Sequence, residues 1–85
     1  MKPHATKPMT QARKGLVNIH KKICRNPHHY TVEKIKADES NGGASVRHMV
    51  KLMAALLGWK IDVDQIIPTA DGIKSFIEYI LDESL

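Results

Sequence analysis

The chain has one cysteine, Cys24, so no disulfide can form within it. A small domain without such a staple fits a reducing compartment, and the cytoplasm is the expected location. Aromatic side chains are nearly as scarce: Tyr30, Trp59, Phe76 and Tyr79 make up 5% of the 85 residues, while 42% are hydrophobic. The core must then be built from aliphatic and Met side chains, which suits helix packing. No window approaches the ~18 apolar residues that would cross a bilayer. The first twenty residues carry Lys2, Lys7, Arg13 and Lys14 without an apolar run, so neither a secretion signal nor membrane attachment is expected. Also missing are the glycine spacings of nucleotide sites, G-x-G-x-x-G and G-x-x-x-x-G-K-[ST]; Gly42-Gly43 reads as a turn ahead of a helix. Asp62 and Asp64 fall on a solvent-facing alternation and Asp82-Glu83 in a C-terminal turn, so no carboxylate pair suggests acid–base catalysis. These absences point away from an enzyme, and no cofactor is expected.

What the chain does have is charge of opposite sign in its two parts. Met1 to Lys36 holds nine Lys and Arg against Glu33 alone, a balance of +8. Ala37 to Leu85 holds four bases against eight acids, a balance of −4. A basic end of this kind faces a polyanion or an acidic protein surface, or simply solvates the chain. The length allows one core and therefore one domain, expected over residues 9–85, with residues 1–8 as a flexible basic arm.

Helical spacing is clearest near the N-terminus. Ala12, Leu16, Ile19 and Ile23 fall at steps of four, three and four, predicting a helix that starts near Met9 or Thr10, with Thr10 as N-cap. At ~100° per residue, Lys14, Asn18, Lys21, Lys22 and Arg25 gather opposite that stripe. Asn26-Pro27 ends the helix. Residues 30–36 fit either a strand, from Tyr30, Thr31, Val32 and Ile35, or a short helix opened by Thr31. Asp38 to Gly43 reads as a loop. A helix is expected from Ala44 or Ser45 through Val46, Met49, Val50, Leu52, Met53, Leu56 and Leu57, closed by Gly58. Residues 59–65 alternate apolar and polar as in a strand, although Asp62-x-x-Gln65 also resembles a capping box. Ile73, Phe76, Ile77, Ile80 and Leu81 predict a C-terminal amphipathic helix. The fold class is mainly α, three or four helices with room for one or two short strands at 30–36 and 59–65.

Two candidate sites follow. His20, Cys24 and His28 stand four apart, so His20 and Cys24 share neighbouring helical turns. Structural zinc sites take four ligands with close-set Cys pairs, and Cys24 has no acid after its histidines to make it a nucleophile. Neither metal nor catalysis is expected there. The basic helix face is the stronger signal: Arg13, Lys14, Lys21, Lys22, Arg25, Lys34 and Lys36 form the electrostatic footprint expected for duplex phosphates. With only Tyr30 and two histidines nearby, stacking on single strands is not favoured.

Residues 41–63, Asn-Gly-Gly-Ala-Ser-Val-Arg-His-Met-Val-Lys-Leu-Met-Ala-Ala-Leu-Leu-Gly followed by Trp-Lys-Ile-Asp-Val, resemble the closing part of lambda-repressor-like helix-turn-helix domains. Gly15-Leu16 and Thr31-Val32-x-x-Ile35 are similar to the start of that motif's first helix and to its recognition helix, although Lys21, Lys22 and Arg25 stand where the family buries Leu and Ala. The resemblance implies a transcription regulator that binds duplex DNA. Ser45 to Leu81 also resembles the C-terminal half of HPr-like phosphocarriers, which implies an α+β fold; His4-Ala-Thr-Lys-Pro8 is only a loose echo of that family's phosphorylated His. The expectation is a small DNA-binding regulator, with a homodimer through 73–85 as a further expectation. The alternative is an interaction module, an inhibitor or adaptor whose basic face docks on an acidic protein.

Overall fold

Four α-helices and two 3-10 turns account for the regular structure of the computed structural model, which describes residues 7–42 and 45–83. The helices are α1 (Lys7–Arg25), α2 (Val32–Ser40), α3 (Val46–Leu56) and α4 (Ala70–Glu83); the turns cover Pro27–His29 and Val63–Gln65. Among the described residues there is no strand, and the architecture is mainly α.

Helix α1 begins at Lys7, earlier than the expected start at Met9 or Thr10, so Thr10 lies inside the helix instead of capping it. The described residues begin at Lys7, already in the helix, and Pro8 fits a place near a helix start. First-turn N–H groups have no intrahelical acceptor, so a proline there sacrifices no hydrogen bond and arrives with helical φ. The expected arm thus shrinks: Lys7 and Pro8 are helical, and residues 1–6 lie outside the described residues. Leu16, Ile19 and Ile23 of α1 are buried as their spacing predicts, and the helix packs on both α3 and α4. Close approach to α3 occurs at Gly15, where a Cβ would stand 2.6 Å from Met53 Cε.

The ambiguous segment 30–36 is helical from Val32 on. Thr31 takes an extended backbone, φ −76° and ψ 157°, and its hydroxyl accepts a hydrogen bond from the Lys34 N–H at 3.2 Å. That cap satisfies an otherwise orphan donor and outweighs the β preference of Thr and Val. Helix α2 runs on through Asp38, Glu39 and Ser40, which were expected in a loop; the turn comes at Gly42, with φ 76°.

Ser45 caps α3, and the helix closes as predicted. Gly58 sits at φ 95°, its N–H donates to Ala55 O at 3.0 Å, and the Trp59 N–H donates to Ala54 O at 2.9 Å, the paired bonds of a Schellman ending. Residues 59–65 form no strand. The Asp62 N–H donates to Gln65 Oε1 at 2.8 Å, and the capping-box reading of Asp62-x-x-Gln65 is the one realised. With neither candidate strand formed, the α+β arrangement implied by the HPr resemblance is not the one adopted here.

Thr69 accepts from the Gly72 N–H at 2.9 Å and opens α4, whose Ile73, Ile77 and Ile80 face the core with Ile35 of α2, Val50 and Ala54 of α3, and Ile66. A Cβ at Gly72 would meet Ile67 Cβ at 2.6 Å and Ile67 O at 2.9 Å. Backbone cannot retreat as a Met tip can, so Gly72→Ala is expected to lower stability by about 1–3 kcal/mol. Gly15→Ala should stay within about 1 kcal/mol, because the helix propensity gained offsets the displacement of the flexible Met53 end. Urea melts of both variants check this contrast.

A side chain of α3 holds α2 to the rest of the fold. Arg47, on the buried side of α3, is 6% exposed. Its Nε and Nη2 donate to the two Glu39 carboxylate oxygens at 2.7 and 2.6 Å. Its Nη1 donates to Ile66 O at 2.8 Å and Val63 O at 3.2 Å. One guanidinium thus ties α2, α3 and the 63–65 turn. Buried Ser45 donates to Glu39 Oε2 at 3.0 Å and contacts His48 Nδ1 at 2.9 Å. The Arg47 hydrogen bonds hold the Glu39 carboxyl down at about 2, well below its ordinary 4.5, and Glu39 in turn raises Arg47.

Candidate nucleic-acid interface

A 19-residue helix is about 28 Å long at 1.5 Å per residue. Because α1 turns its apolar stripe toward α3 and α4, the opposite face is left to solvent along its whole length. Lys14, Asn18, Lys21, Lys22 and Arg25 are all exposed on that face. Lys7 is exposed in line with Lys14, Lys21 and Arg25, since seven residues make nearly two turns. Among the described residues no carboxylate pairs with Lys14, Lys21, Lys22 or Arg25. Their charges therefore sum into one outward field instead of being cancelled locally.

The other expected contacts do not all join this face. Arg13 is half-buried and lines a hollow between α1 and α4. The Lys34 Nζ donates to His28 O at 3.4 Å, which fastens it beside the C-terminal end of α1. Lys36 is exposed, but at ~100° per residue it lies on the far flank of α2 from Lys34, across the buried Ile35. Tyr30 packs against the core, and Trp59 meets Tyr79 edge-on at 5.5 Å, so neither ring is presented beside the basic face.

His20 and Cys24 lie on neighbouring turns as their spacing implies, with Cys24 Sγ 3.7 Å from His20 Nδ1. The second imidazole nitrogen, Nε2, is 3.2 Å from Glu78 Oε2 of α4. The sequence reading missed this acid because it is 58 residues away and lies on a helix assigned to packing. His28 sits in the Pro27–His29 turn beside His29, their rings 5.0 Å apart. Among the described residues no group of three His, Cys, Asp or Glu side chains is placed to hold a metal ion. No helix among them is long and apolar enough to cross a membrane. Protein-family models, curated proteins and solved structures offer no match to this chain.

Proposed function

We propose that the chain binds duplex DNA as a small regulatory protein, through phosphate contacts from the exposed face of α1. The observation that carries this reading is the unpaired row Lys14, Lys21, Lys22 and Arg25 on one side of a single rigid helix. From Lys7 to Arg25 the row extends about 27 Å, or about eight base pairs at 3.4 Å each. Lys34, beside the end of α1, adds to the same field. The resemblance of residues 41–63 to lambda-repressor-like domains points the same way.

Base readout by α2 has less support. With Glu39 paired to Arg47, Glu33 and Asp38 cancel Lys34 and Lys36, so the helix offers a groove lined with phosphates no net positive charge. The contacts proposed are therefore to backbone, with little dependence on sequence.

A second reading, docking on a protein partner, is favoured by one observation. Met49, Leu52 and Leu56 of α3 are 38%, 64% and 52% exposed and lie on one side of that helix, an apolar stripe that duplex binding leaves unused. Fluorescence anisotropy with unrelated duplexes at several salt concentrations separates the two. Four phosphate contacts give a log–log slope of about −3.6, at about 0.9 per contact, and similar values for different sequences. No measurable duplex affinity at 0.15 M salt would leave the protein-partner reading instead.

A further inference from the structure

We propose that two copies of this chain pair about a two-fold axis through the hollow between α1 and α4. The hollow has a volume of about 570 Å³. Val17 of α1 and Leu81 of α4 supply its apolar surface, and Val17 is 38% exposed. Arg13 and Lys21 stand on the α1 side, and Glu78 and Asp82 on the α4 side. The contact between His20 and Glu78 at 3.2 Å bridges the two helices here.

A two-fold axis brings a surface patch against itself, so the patch must be complementary to its own rotated image. A surface of one sign fails that test, and the outward basic face of α1 would repel its copy. A hollow with one basic wall, one acidic wall and an apolar floor passes it. Rotation about an axis along the hollow lays the basic wall of each copy over the acidic wall of the other and covers Val17 and Leu81 from solvent. The exposed stripe of α3 is apolar too, but the helix carries no acidic residue, so charge gives it no preference for a second copy. At ~100° per residue, Lys14, Arg25 and Lys22 lie roughly 60–140° around α1 from Val17. Pairing therefore covers Lys21 and leaves Lys14, Lys22 and Arg25 of the basic face open, and the dimer stands whether or not that face binds DNA.

Sedimentation velocity on the full chain tests the pairing. At about 0.5 mM, which detects dissociation constants up to the millimolar range, the average mass of the wild type is expected above 9.5 kDa and rising toward twice that value with concentration. Lys21→Glu cancels the net charge of the α1 wall and Asp82→Lys that of the α4 wall, and each sets like charges at positions 21 and 82 against one another across the pair, so each variant alone should lose at least tenfold in self-association. An equimolar mixture of the two should regain it, and so should one chain carrying both changes. Both residues are exposed, and a wild-type circular dichroism spectrum confirms that the variants fold. A monomeric wild type overturns the proposal. So does a dimer indifferent to these charges, or one abolished by Leu52→Asp on α3 while the charge variants still pair.

Discussion

Glu39→Ala is expected to lower the unfolding free energy by about 2–4 kcal/mol. Removing one partner of a buried ion pair costs about 3–5 kcal/mol, because the remaining charge is stranded away from water. The range is set lower here because the Glu39 side chain keeps 18% of its surface in solvent, against 8% for Arg47. At about 4–8 °C per kcal/mol for a domain of this size, the melting temperature should fall by about 10–30 °C. The double variant Glu39→Leu with Arg47→Met should be more stable than Glu39→Ala, since it strands no charge, but less stable than the wild type, since the Ile66 and Val63 carbonyls lose their Arg47 donor. Acid reads the same pair. The folded carboxyl titrates at about 2 and the unfolded one at 4.5, so the stabilisation is complete above about pH 4.5 and is lost as the pH falls toward 2. Glu39→Gln should flatten stability across that window, as measured by urea unfolding at a series of pH values. An unchanged slope there would mean that the pair does not hold α2.

The second large effect concerns affinity. Lys14, Lys21 and Arg25 each changed to Gln should weaken duplex binding by about 10²–10³-fold near 0.1 M salt and bring the log–log slope from about −3.6 to about −0.9. All three are exposed and unpaired, so stability should change little, within about 0.5 kcal/mol per site. A control triple, Lys51→Gln, Lys60→Gln and Lys74→Gln, removes the same charge from elsewhere. If both triples weaken binding equally, net charge and not the α1 face governs it.

The parts of the fold legible in the sequence are those fixed by local chemistry. The four-residue and three-residue steps of Ala12, Leu16, Ile19 and Ile23 mark the buried stripe of α1, and the same steps place the basic face opposite it. Gly58 ends α3 because its positive φ is one that few other residues adopt. Residues 30–36 stayed ambiguous because Thr31 and Val32 favour strands in isolation, while the Thr31 cap is rewarded only once the Lys34 N–H is in place. The alternation after Trp59 mimics a strand, yet no neighbouring strand exists among the described residues to pair with it. Arg47 and Glu78 were missed for a common reason: their partners, Glu39 across the 41–45 connection and His20 on another helix, are set by tertiary contact. An Arg on the same side of α3 as Val50 and Ala54 was the one available sign that a charge would be buried.

The measurement closest to the central claim is mapping of backbone amide shifts as duplex DNA is added to the labelled chain. The expected result is a contiguous response at Lys14, Asn18, Lys21, Lys22 and Arg25, with Lys34 following and Leu52 and Leu56 of α3 unmoved. Shifts centred on α3, or none along α1 at saturating duplex, would contradict it.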